Sequence, residues 1–370
     1  MPHSWHSVEM RTGRRGSEVL LSTRGKVSRI LGAVTDAQVD QLVWDARTGT
    51  PVPEWRQATR PGHTGLVLVD DDFRPIWFGT VIRRVPDHTE FVALSLSTLE
   101  GYLNRRYSGT MTFAQTDQST IAAALVQATV ASTGVPFVIR STPSGILRDR
   151  TYLDNDDKTT LSLLQELMNI EQGIEFTVDL EWTDDTNTVL RFVFTVGPRV
   201  GKALPEPVRF EHPGQVVSFS VPEDYSSDNG ANDVLAVSTG EAGAIDGTRP
   251  QSTRMADVPA NDVRYERRFS PSTSITSAAT LNAYARADLV RKKLGLTQLL
   301  LTAYLDAPGI QLNADWWLGD NLRAVITSPA YPERVGPNGQ LLPGLERTVR
   351  AVGWDIDLDS RTITPRLEEV

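Results

Sequence analysis

Residues 95–133, SLSTLEGYLNRRYSGTMTFAQTDQSTIAAALVQATVAST, constrain the fold most, because the spacing of apolar residues changes inside them. An alternating run enters through Phe91, Ala93 and Leu94, the two-residue period of a half-buried strand. A short aromatic-basic connector follows at 101–107. A helix is then predicted over 117–132, with Ile121, Ala124, Leu125 and Ala128 on one face. Thr116 or Asp117 serves as its cap, and Gly134 and Pro136 end it. The stretch reads as a seam between a β region and a region of different composition.

Upstream, Gly and Pro turns at 48–51 and 60–62 separate short strands at 65–70, 76–84 and 90–96, the first two joined by the acidic turn 70–72. Residues 27–44 fit a helix capped by Asp36 and a pair of strands equally well. Residues 1–107 therefore read as a small β-barrel or sandwich.

Downstream come a strand at 137–140 and a second helix beginning near Asp156 or Asp157, with Leu163, Leu164, Leu167 and Ile170 as its stripe. A hairpin of 175–182 and 189–196 follows, giving an α+β domain over 108–200. Residues 197–207 read as a linker. In 201–370, strands at 208–210, 216–221 and 234–238 precede an exposed loop at 239–262. A helix over 276–294, capped by Ser274 or Thr276, leads to strands at 297–305, 321–327, 347–355 and 361–367. The expected fold is mainly β within the α+β class: two small β-barrel or sandwich domains, 1–107 and 201–370, flank the insert 108–200, and one helix lies on the flank of the second barrel.

At 370 residues with 40% hydrophobic and 22% charged residues, the chain is long enough for several folded cores. It has no cysteine, which excludes disulfides, thiolate metal sites and a thiol nucleophile. No apolar run approaches the ~20 residues of a membrane span, and residues 1–25 hold no signal-peptide core. A net charge of −9 argues against general affinity for nucleic-acid backbones.

No catalytic motif stands out. Asp355, Asp357 and Asp359 have the opening spacing of a calcium loop, but Ser360 and Arg366 occupy the positions that need Gly and Glu. His3 and His6 have the spacing of a metal pair near a terminus, where a disordered start is the simpler account. Glu175, Asp179 and Glu181 alternate like a glycosidase carboxylate pair, and equally like any acidic hairpin. Arg105 and Arg106 between Tyr102 and Tyr107 are assigned to domain or subunit contacts rather than phosphate binding. Trp316 and Trp317 point to opposite faces of a strand, so at most one faces a ligand. Both are assigned a core-plus-interface role. No catalytic, cofactor or metal site is predicted.

Five segments together resemble the tail hub, or minor tail, proteins of long-tailed actinobacterial phages, including the N-terminal part of tail-associated lysozyme-like proteins. They are Trp77-Phe78-Gly79-Thr80-Val81; Gly101-Tyr102-Leu103 and Arg105-Arg106 followed by Phe113, Asp117 and Gln118; Leu163–Leu167 with Gly173-Ile174-Glu175-Phe176; Ala231-Asn232-Asp233-Val234; and Leu318-Gly319-Asp320-Asn321-Leu322. Longer relatives carry a peptidase, lysozyme or fibre after the second β-domain, and those activities are not implied for this chain. The resemblance implies a non-enzymatic homotrimer that closes the tail tube and adapts its sixfold symmetry to a threefold tip. It implies contacts with the distal tail or tube protein, a fibre or tip protein and the tape measure protein. DNA would meet it only in passage through the channel. The expected location is the virion tail tip, after synthesis in a host cytoplasm. The alternatives from other classes are a receptor- or carbohydrate-binding module centred on Trp316 and Trp317, and a cell-wall hydrolase using Glu175.

Overall fold

The computed structural model describes residues 3–23, 25–131, 134–170, 172–238, 250–271 and 278–369. The fold is mainly β. The chain forms two compact units, 1–218 with 301–370, and 219–300. The expected boundaries at 107 and 200 both fall inside the first unit.

In that unit the N-terminal strands form one sheet in the order Arg15–Glu18, Ser4–Glu9, Thr64–Val69, Pro75–Pro86, Phe91–Ser97, Asp36–Leu42, Leu21–Thr23. Alternation explains Phe91–Ser97, where Val92, Leu94 and Leu96 point inward. It pairs along its whole length with Asp36–Leu42, so residues 27–44 are strands and not a helix. The acidic turn joins its hairpin as expected, with Asp70 accepting from the N–H groups of Asp72 and Arg74.

The connector at 101–107 begins inside a short helix, Leu99–Leu103, whose Leu103 is fully buried. The long helix is Gln118–Ala131, and Asp117 caps it by accepting from the Ser119 N–H at 2.8 Å. The next helix, Thr160–Met168, starts later than expected. Asp154–Asp156 closes a 3-10 turn that ends with Asp157 at φ 52, and Thr159 is the cap. Two strands escaped the sequence reading, Met111–Asp117 and Leu147–Tyr152, which pair with each other.

One core joins these parts. Val8, Val67, Val69 and Phe78 from the N-terminal sheet pack with Ile121, Leu125, Leu164, Leu167, Phe176 and Phe192 from 108–200. The Phe78 and Phe192 rings lie 5.0 Å apart. A second sheet runs Val208–His212, Asn321–Ile326, Leu345–Asp357, Thr362–Glu369, Leu300–Tyr304. Strand Leu345–Asp357 is shared: residues 345–350 pair with Asn321–Ile326, and residues 353–357 pair with Lys26–Ile30. The second barrel expected within 201–370 therefore takes a strand from the N-terminal region.

His6 illustrates the depth of the first strand. Its ring packs on Phe73 at 5.0 Å, with Nε2 3.1 Å from Ser4 Oγ. Burial and the nearby Arg15 hold the imidazole down from 6.5 to about 4. A depressed histidine stabilises the fold above its unfolded value and loses that contribution as pH falls through the folded one. Stability is expected to drop between pH 6.5 and about 4. His6→Gln should flatten that part of the profile, read by urea unfolding at neutral pH and near pH 4. An unchanged slope would assign the acid sensitivity to other groups.

The second unit is small. Strand Asp233–Ala236 lies between Met255–Ala256 and Glu266–Phe269. Helix Ala278–Lys292 packs on it through Leu281 and Ala285. Asp233, almost fully buried, accepts from Arg254 Nε at 2.6 Å. The helix expected on the flank of the second barrel thus belongs to this unit. Its expected caps, Ser274 and Thr276, and residues 239–249 of the expected loop lie outside the described residues.

Candidate assembly interface

The first unit is held by two buried ionic clamps, each joining segments far apart in sequence. Arg29, on Lys26–Ile30, donates through Nη2 to Thr177 Oγ1 at 2.7 Å and to the Val178 carbonyl at 2.6 Å. Its guanidinium lies 5.6 Å from the Trp317 ring and 3.7 Å from Glu100 Oε1. Glu100 accepts from the Val178 N–H at 3.3 Å. Burial pushes the Glu100 carboxyl up from its ordinary value, while Arg29 pulls it down. Charges this deep survive only when paired and hydrogen-bonded.

The second clamp centres on Arg350 in strand Leu345–Asp357. Its two terminal nitrogens grip Glu175 bidentately, with Nη1 at 2.6 Å from Oε1. Arg350 also donates to the Val200 and Gly319 carbonyls. Glu175 accepts from the Val200 N–H at 2.7 Å, and Asp320 accepts from the N–H groups of Lys202 and Trp317. Residues 199–202, read from sequence as part of a linker, are therefore bonded to 319–321 on both sides.

The two tryptophans differ in exposure. Trp316 is 2% exposed and donates to the Ile310 carbonyl, so it offers no surface to another subunit. Trp317 is half-buried, donates to Asp179 Oδ1 at 2.9 Å and stands against Trp354. Of the connector residues, Tyr102 and Arg106 turn inward. Tyr102 Oη accepts from the Val135 N–H at 3.2 Å. Arg106 lies 5.9 Å from the Tyr102 ring and donates to the Thr129 carbonyl. Arg105 and Tyr107 are exposed.

The acidic candidates are engaged too. Glu175 is consumed by Arg350, Asp179 accepts from Trp317 and Thr195, and Glu181 pairs with Arg140. All three carboxylates thus have partners within the chain, in keeping with the acidic-hairpin reading. Asp355 pairs with Arg366, while Asp357 accepts from the N–H groups of residues 359 and 360 and pairs with Lys26. Among the described residues no group of three or more His, Asp or Glu side chains has metal-site geometry. His3 lies 3.9 Å from Asp306.

Sequence reasoning missed Arg29, Glu100 and Arg350. A lone charge in a short strand or helix reads as exposed, and only the three-dimensional pairing reveals its burial.

No family model matches the sequence, and no curated protein matches it. Solved structures do resemble it. The 43 kDa tail protein of prophage MuSo2 from Shewanella oneidensis superposes with a TM-score of 0.57, at 14% identity, covering 99% of this chain and 98% of that one. A tail protein from Neisseria meningitidis MC58 gives 0.54 at 13% identity, covering 100% and 97%. The chain has the fold of these tail proteins. A chain of a PdpA–VgrG complex gives 0.50 at 8% identity, with 100% of this chain spanning 64% of that one. No helix among the described residues is long and apolar enough to cross a membrane.

Proposed function

We propose that the chain is a non-enzymatic structural subunit of a phage tail tip. It closes the tail tube, adapts sixfold tube symmetry to a threefold tip and walls the channel through which DNA passes. The end-to-end fold likeness to two tail proteins carries this reading, because it spans the whole of each chain rather than one module. The residue motifs shared with hub proteins of long-tailed actinobacterial phages point the same way. In a homotrimer, the N-terminal β region and the sheet around Leu345–Asp357 supply two ring positions per subunit, six in all. The tube or distal tail protein and the tape measure protein dock on one side, and a fibre or tip protein on the other. The chain's net charge of −9 suits a wall past which phosphate slides without binding.

Internal contacts weigh against the glycan-module and hydrolase alternatives: Trp316 is buried, Trp317 donates to Asp179, and Glu175 pairs with Arg350.

The test is an axial image of the assembled particle combined with two charge reversals. A threefold ring with a central hole is expected. Arg105→Glu should lower incorporation into particles with little change in monomer unfolding. Arg106→Glu should also destabilise the monomer by about 1–2 kcal/mol, because it breaks an internal hydrogen bond. A particle without threefold symmetry at the tip overturns the reading.

A further inference from the structure

A cleft of about 750 Å³ opens in the first unit between the turn at residues 9–15 and the segment 54–64. Arg11, Arg14, Arg15 and Arg60 line it, against the carboxylates of Glu9 and Glu54. None of these four arginines forms an ion pair among the described residues. Of the four, Arg15 lies 4.7 Å from the Phe73 ring and is spent on it. In a chain of net charge −9, a cleft lined by four arginines against two glutamates is a basic patch, complementary to an anionic occupant.

Backbone contacts hold the walls of the cleft in place. Gly13 lies at φ +71, and a Cβ there would meet the Leu190 carbonyl oxygen at 2.1 Å. Leu190 N–H donates to the Gly13 carbonyl and Arg15 N–H to the Thr188 carbonyl, pinning the turn to the strand beside it. Met10 N–H bonds the His63 carbonyl and ties the two walls together. Such preorganisation lowers the ordering cost of association. Val135, buried, and Tyr102, partly buried, line its floor.

The same chain carries a matching knob. Asp154–Asp156 closes a 3-10 turn ended by Asp157 in the left-handed region, and all three aspartates are exposed. None forms an ion pair among the described residues. Leu153 beside them is 46% exposed. The Asp154 N–H bonds Thr110 Oγ1, which fixes the turn in place. No hydrogen bond or ion pair among the described residues joins this turn to the cleft within one chain.

The geometry points to the arginine cleft as the receptor for the 153–157 turn of a second copy of this chain. This rests on the proposed ring-subunit role and names the contact that closes the ring. Cleft and knob are different patches, so the contact is head-to-tail, the type that generates rings when the rotation closes. Guanidinium forks match carboxylates bidentately, which gives register as well as attraction. The two glutamates in the cleft repel a polyphosphate backbone more than they repel one turn with three carboxylates.

The test is sedimentation of the full chain at low salt over rising concentration. Arg11→Glu with Arg60→Glu should weaken self-association at least about tenfold, and so should Asp154→Arg with Asp156→Arg. Combining all four reversals in one chain should restore it, which a merely structural role would not do. Because the protein has no cysteine, Arg60→Cys with Asp156→Cys should give an intermolecular disulfide specific to this pair. Unfolding curves of each variant separate lost contact from lost fold. Association or threefold particles indifferent to the reversals overturn the inference and leave the ring reading standing. A chain that never self-associates, in solution or on the tail, overturns both. A single-stranded oligonucleotide bound through Arg60, with association unchanged, makes the cleft a nucleic-acid groove and overturns the inference too.

Discussion

Arg29→Ala is expected to cost about 3–5 kcal/mol of stability, the range for removing one partner of a buried ion pair. Three losses coincide: the bonds to Thr177 and Val178, the stacking on Trp317, and the cation that offsets Glu100. The deficit should depend on pH. Glu100 already holds its proton more tightly in the folded protein than at its ordinary value of 4.5, because it is buried. A raised carboxyl favours folding at low pH and loses that contribution as pH rises through the folded value. Without Arg29 the carboxyl rises further, so the deficit should be smallest near pH 4 and grow towards neutrality. Adding Glu100→Gln should recover at least about 1 kcal/mol at neutral pH, as coupled neighbours do. Denaturant unfolding of the four chains at two pH values reads all of this. A deficit under about 1 kcal/mol, flat in pH, would mean that water reaches the pair.

Gly319→Ala should be nearly as damaging, for a different reason. Gly319 and Gly201 face each other with φ of +89 and +81. A Cβ on Gly319 would meet the Val200 carbonyl oxygen at 2.2 Å, and one on Gly201 would meet the Gly319 carbonyl carbon at 2.1 Å. Backbone cannot swing aside like a side chain, and Arg350 and Asp320 bond both segments. A loss of about 3 kcal/mol or more is expected from strain and clash together. Gly309 supplies the control, with φ +80 and nothing within 4 Å of its Cβ position. Gly309→Ala should show only the backbone strain, about 1–2 kcal/mol. Thermal or denaturant unfolding compares them, and equal losses would show that 199–202 is free to move.

Much of the local structure is legible in the residues. Phe91–Ser97 and Glu175–Trp182 read as strands by alternation, and Asp117 reads as a cap because the apolar spacing of Ile121 and Leu125 starts just after it. The pair Met111–Asp117 and Leu147–Tyr152 is not legible, since sequences such as LRDRTY present few apolar residues to either face. Asp36–Leu42 is ambiguous for a related reason. Only Ala37, Val39 and Gln41 face inward, and it is pairing with Phe91–Ser97 that settles the matter. The aspartates at 154–157 look like a helix cap but close a turn of their own, so Thr159 takes the role. The clamps are invisible from sequence because Arg29 meets Thr177, and Glu175 meets Arg350, across well over a hundred residues of chain.

The strand shared between Lys26–Ile30 and residues 353–357 also carries a cost in time. On a ribosome adding about 5–20 residues per second, residues 26–30 emerge roughly 15–60 s before their pairing partner exists. During that interval their backbone donors and acceptors face water or any extended segment nearby, the situation that invites wrong edge pairing. The N-terminal sheet can pair its own strands early, but the seam to the last strands must wait. The first unit therefore finishes folding late, when residues 353–357 close on 26–30. Deleting residues 26–30 or 353–357 removes half of one ladder rather than an appendage.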